Sequence, residues 1–120
     1  MKELARYRLT TLYGCAFCNK GNRLDAMSAG LTEAQIAAID DIDASCWGDA
    51  ERAVMRLAEQ MSLGKSNEIV SAELHANLTH HFDYEQILTL GVTMAVLASV
   101  EKFLFAFDLV KRESVCESRR

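Results

Sequence analysis

The sequence predicts an all-α fold, and three observations carry that prediction. No proline occurs among its 120 residues, where an average composition would place about six. Apolar residues recur at intervals of three and four, the period of a helix with one buried face. Glycines and helix-capping residues punctuate these stretches, and no alternating apolar/polar run marks a strand in βαβ order. Half the residues are apolar and a quarter charged, which is globular composition. Length and the lack of a linker or repeat predict one domain over 1–120, large enough to bury a core.

About six helices are expected. Lys2–Tyr13 places Ala5, Leu9 and Leu12 on one stripe, with Glu3, Arg6 and Arg8 largely elsewhere, and Gly14 breaks it. Cys15–Ala29 forms a second helix closed by Gly30, a residue suited to the left-handed position after a helix end. Thr32 and Gln35 make a capping box for a short helix to about Ile39. After an acidic loop over Asp40–Gly48, Asp49 caps a helix over Ala50–Leu63, with a strong stripe through Ala53, Val54, Leu57 and Met61. Ser71 opens a helix to about His80, and Asp83 with Gln86 starts a long one from Tyr84 to about Lys111.

That last helix is uncharged from Ile87 to Val100, and after Glu101 and Lys102 the apolar character resumes with Phe103, Leu104, Phe105 and Phe107. The uninterrupted run falls short of the roughly 20 residues of a membrane span. A helix apolar nearly all round is expected to be central, either to the core or to a subunit interface.

The net charge of −4, with no basic block, argues against nucleic-acid binding, which needs clustered Lys and Arg. Met1–Gly14 carries Glu3, Arg6 and Arg8 and no continuous apolar stretch, so no secretory signal is expected and the chain reads as cytoplasmic. Cys15, Cys18, Cys46 and Cys116 then do not read as a disulfide framework.

Cys15 and Cys18 form a C-x-x-C at a helix start. Residues three apart on a helix are neighbours, and the first turn offers unpaired N–H groups and the positive end of the dipole. Both favour a thiolate, and a second thiol within reach can turn its oxidation product into an internal disulfide. Half of a zinc site and a pair of inert core cysteines are the competing readings; no second C-x-x-C or H-x-x-x-H follows at zinc-site spacing. If the first two helices form a hairpin about Gly14, Glu3 faces the neighbourhood of Asn22 to Asp25, and Asn22 lies one turn beyond Cys18. Glu3 then either belongs to a Glu3–Asn22–Cys18 chain or pairs with Arg6 at the surface.

The pattern resembles the AhpD-like alkylhydroperoxidase branch of the carboxymuconolactone decarboxylase family, whose signature is Glu, eleven residues, Cys-x-x-Cys, three residues, His. Here Glu3 is followed by eleven residues and then Cys15 and Cys18. Tyr13-Gly14-Cys15-Ala16-Phe17-Cys18, Ala29-Gly30-Leu31-Thr32-Glu33, Asp49-Ala50-Glu51-Arg52-Ala53 and His81-Phe82-Asp83 fit as well. The resemblance implies an all-helical fold assembled as trimers or hexamers, and a peroxidase with Cys18 attacking the peroxide, Cys15 resolving and Glu3 as the distal base of a proton relay. It implies a small peroxide as substrate, an external dithiol or thiol as electron donor, and no cofactor or metal. Asn22 stands where the family has the relay His, and an amide cannot shuttle a proton as imidazole does. Members usually carry one or two helices ahead of the Glu, so the domain is expected to lack them. Glu101-Lys102 stands where many relatives carry Asn-Arg. The alternatives are a catalytically impaired helical oligomer with a binding or scaffold role, kept open by Asn22, and a lactone decarboxylase, which the cysteine pair argues against.

The remaining candidates read as structural. Cys46 beside Trp47 is expected under the acidic loop, Cys116 in the polar tail, and His80 and His81 at a helix C-terminus that favours them. Met27, Met55, Met61 and Met94 read as core filler.

Overall fold

The computed structural model describes residues 1–65 and 67–113. Its helices are α1 (Lys2–Tyr13), α2 (Ala16–Ser28), α3 (Glu33–Ala37), α4 (Asp49–Gln60), α5 (Ala72–His81) and α6 (Tyr84–Ala106), with a short 3-10 turn at Leu63–Lys65. No strand occurs among the described residues, as the sequence predicts.

The central element is α1, which packs against α2, α4 and α6. Its burial is not the one-sided stripe that the sequence predicts. Leu4, Ala5, Tyr7 and Leu9 are buried, but so are Arg8, Thr10 and Thr11, while Leu12 is exposed. Being enclosed on three sides buries polar positions too, and each finds a partner. Arg8 donates to the Ile39 carbonyl at 3.0 Å and to Asp40 at 3.0 Å, and also bonds Glu59. The Thr10 and Thr11 hydroxyls donate to the carbonyls of Tyr7 and Arg8. A buried guanidinium is tolerated only when paired in this way.

Both ends of α4 and the end of α6 differ from expectation. Helix α4 starts one residue earlier, with Gly48 at the N-cap and its N–H donating to Glu51 at 2.7 Å. It ends at Gln60, because the chain turns to let the Leu63 N–H donate to the Tyr13 hydroxyl at 2.7 Å. Helix α6 stops at Ala106, not near Lys111. Asp108 adopts a φ of 54°, and the N–H groups of Asp108 and Leu109 donate to the carbonyls of Phe105 and Leu104. This is a Schellman closure made with aspartate in place of glycine.

The burial of α6 is narrow. Leu90, Met94, Ala98 and Glu101 face inward, whereas Leu88, Val92, Val96, Val100 and Phe103 are exposed. By length and composition alone α6 could cross a membrane; here one edge packs on α1 and α5 and the opposite edge stays bare. The remaining caps follow the sequence: Thr32 with Gln35, Ser71 with Leu74, and Asp83 with Gln86.

Candidate functional site

The turn between α1 and α2 creates the site. Gly14 ends α1 with a φ of +67°, and its N–H donates to the carbonyls of Thr10 and Thr11. A Cβ there would come within 2.5 Å of the Glu113 carbonyl oxygen, so glycine is required by space as well as by backbone angle. Cys15 follows in extended conformation as the N-cap of α2, and its sulfur accepts the Cys18 N–H at 3.3 Å. The two Cα atoms lie 5.2 Å apart and the cysteines are joined as a disulfide.

The segment after α6 returns across this turn. The Glu113 N–H donates to the Gly14 carbonyl at 2.7 Å, and the Lys111 carbonyl accepts the Ala16 N–H at 3.1 Å. Asn19 reaches the Glu113 carboxylate, and the Arg112 guanidinium sits 4.0 Å from the Phe105 ring centroid. This strap uses an amide that would otherwise sit free at the helix N-terminus, and together with α1 it leaves Cys15 fully buried. Cys18 is half-buried and faces a mostly apolar cleft of about 620 Å³ between α1, α2 and α6.

The cleft brings together some of the residues singled out from sequence. Asn22 lines it beside Cys18, buried, with its amide donating to the Thr10 hydroxyl at 3.3 Å. Glu3 does not line it. The Glu3 carboxylate accepts from Arg6 at 2.6 Å, the surface pairing weighed from the spacing, and Arg6 in turn occupies the cleft wall 3.6 Å from Asp25. The C-x-x-C gathers no histidine: His80 and His81 are exposed in the last turn of α5, edge to face at 4.8 Å, on a different hollow. Cys46 is half-buried with its thiol toward the Ala34 carbonyl, and Cys116 lies outside the described residues. Met55 and Met94 are fully buried and Met27 and Met61 pack on the core.

The residue that sequence reasoning passed over is Glu101. It is 2% exposed, both carboxyl oxygens lack a hydrogen-bond partner among the described residues, and one lies within 4.8 Å of both cysteine sulfurs. Burial pushes its carboxyl up to about 8, so it is mostly protonated at neutral pH. Tyr13 is also raised, first by burial, against the lowering effect of the Leu63 N–H, with the Glu101 charge adding to the rise. A signal for Glu101 was present in the pattern: it continues the inward spacing of Leu90, Met94 and Ala98, a core register where an acid is out of place.

No family model matches the chain. It is 30% identical to the uncharacterized protein YdfG of Bacillus subtilis strain 168 over 90 residues, which cover 74% of this chain. It spans 60% of that curated relative's length. A crystal structure of an Agrobacterium tumefaciens protein of unknown function, provisionally assigned to AhpD antioxidant defence, superposes with a TM-score of 0.78 at 19% identity. The match covers 89% of this chain and 73% of that one. The chain therefore has an AhpD-like helical fold.

Proposed function

We propose that the chain is a cytoplasmic thiol-dependent, peroxidase-like oxidoreductase that works through its cysteine pair. The observation that carries this reading is the asymmetric disulfide: Cys18 borders an open cleft while its partner Cys15 is sealed beneath the strap. In the reduced protein the Cys18 thiolate attacks one oxygen of a small peroxide, the O–O bond breaks, and the alcohol or water leaves. Cys18 is then a sulfenic acid. The Cys15 sulfur attacks it, water departs, and the disulfide forms. An external dithiol returns the two electrons and is itself oxidised. The apolar cleft suits an organic peroxide, and Asn22 supplies a hydrogen bond in place of a proton relay.

The bare apolar edge of α6 supports assembly into a trimer or hexamer, since exposed rows of Leu and Val on one helix are what a subunit contact would cover. Val100 belongs both to that edge and to the cleft wall, so a neighbouring copy would narrow the entrance.

The test is to reduce the protein, add stoichiometric peroxide and count free thiols. Two thiols should disappear in wild type, with a Cys15–Cys18 link found by mass spectrometry. Cys18→Ser should abolish peroxide consumption; consumption that continues unchanged would end the peroxidase reading.

A further inference from the structure

We infer that Glu101 is the proton donor and acceptor of the cysteine pair, giving a proton to the Cys15 sulfur when the disulfide opens and taking it back when the bond re-forms. This rests on the thiol-redox reading above and names the group that makes it workable in a buried site.

The argument starts from Cys15. An external thiolate can reach only Cys18, so the attack there breaks the S–S bond and sends the electron pair to Cys15. A thiolate at a fully buried position loses its hydration, and a leaving group of that kind departs slowly unless it is neutralised. The Cys18 N–H offers one hydrogen bond to that sulfur but no proton. Glu101 stands within 4.8 Å of both sulfurs, close enough for transfer through one water or after rotation of its side chain. Neither of its oxygens is committed elsewhere among the described residues. Its acidity is close to that of an ordinary thiol, so the transfer is nearly balanced in either direction.

The step balances. The external thiolate bonds to Cys18, Cys15 takes the electron pair from the broken bond and the Glu101 proton, and Glu101 becomes a carboxylate. The donor's second thiol loses its proton to that carboxylate, attacks its own sulfur in the mixed disulfide, and releases Cys18 as a thiolate together with an oxidised donor. In the return direction the alkoxide released from the peroxide takes a proton from solvent. As Cys15 then attacks the Cys18 sulfenic acid, protonated Glu101 gives its proton to the departing hydroxide, which leaves as water, and takes the Cys15 proton in exchange, so it ends protonated again.

The other ionisable groups around this carboxyl are Arg6 and Tyr13 of α1 and Lys20 and Asp25 of α2. Arg6 and Asp25 are paired with each other at 3.6 Å, Lys20 is exposed, and Tyr13 bonds Leu63. None of them hydrogen-bonds Glu101.

The experiment measures opening of the oxidised protein by dithiothreitol from pH 6 to 10, with each rate divided by the thiolate fraction of the reagent. Wild type should hold a plateau and fall above about pH 8 as Glu101 loses its proton. Glu101→Gln should be about 10²-fold slower on the plateau and lack the break; Glu101→Asp should be slower than wild type but keep it. An infrared carboxylic-acid band that fades near the same pH and is missing in Glu101→Gln would locate the proton. A flat wild-type profile overturns the inference without any variant, as does an unchanged plateau in a folded Glu101→Gln. If wild type opens with this break but peroxide does not re-form its disulfide, the peroxidase reading fails while the proton role stands.

Discussion

Glu101 also makes a thermodynamic prediction that needs no turnover. In the unfolded chain its carboxyl titrates near 4.5, and in the folded chain near 8. Between those values the folded state holds a proton that the unfolded state has lost. Stability is therefore greatest below pH 4.5 with respect to this group and falls as pH rises through 8. The gap is worth up to roughly 5 kcal/mol at about 1.4 kcal/mol per pH unit. That is a ceiling, since water entering the cleft would soften the cost of the charge. Glu101→Gln keeps the shape and removes the titration. With the disulfide intact, urea unfolding followed by far-ultraviolet circular dichroism at pH 5, 6, 7 and 8 should show the advantage of the glutamine variant over wild type growing steadily by several kcal/mol. Parallel pH curves for the two proteins would show that the carboxyl is not held in a dry site, and would undercut the proton role with it.

Replacing Gly14 with Ala should cost about 1–3 kcal/mol, because the left-handed backbone and the Glu113 carbonyl both oppose a Cβ; a thermal melt reads it, and an unchanged Tm would mean that the strap does not lie on the turn. Val96→Glu places a charge in the middle of the bare edge of α6 at an exposed site, so the fold should persist while sedimentation shows the proposed trimer or hexamer falling to monomer. An undiminished particle mass would put any subunit contact elsewhere.

What was legible in the sequence was mainly what is set locally. Gly14, the Thr32–Gln35 and Asp83–Gln86 boxes, and Ser71 act through neighbouring backbone, so their helices begin or end as read. The end of α6 was not legible, because aspartate rarely closes a helix in the left-handed conformation and nothing local announced Asp108. Nor was the central place of α1: its arginine and threonines look like a solvent face until Asp40 and Glu59, far along the chain, arrive to pair with Arg8. The C-x-x-C and its position at a helix start were visible from spacing alone. Spacing points to Glu3, within the same hairpin, as its acidic neighbour, whereas the structure places an acid from the last helix, Glu101, near the sulfurs and pairs Glu3 with Arg6. A contact that bridges more than eighty residues of chain leaves no mark in local spacing.

The unequal cover of the two cysteines sets an order of traffic. A macromolecular reductant, too large to slip under the Lys111–Glu113 crossing, meets Cys18 alone, next to the outward-pointing Phe17 ring. Whatever docks there is joined to Cys18 and leaves when its own second thiol attacks that bond. A dithiol visitor stripped of its second thiol would thus stay tethered at Cys18, turning the protein into bait for such a donor.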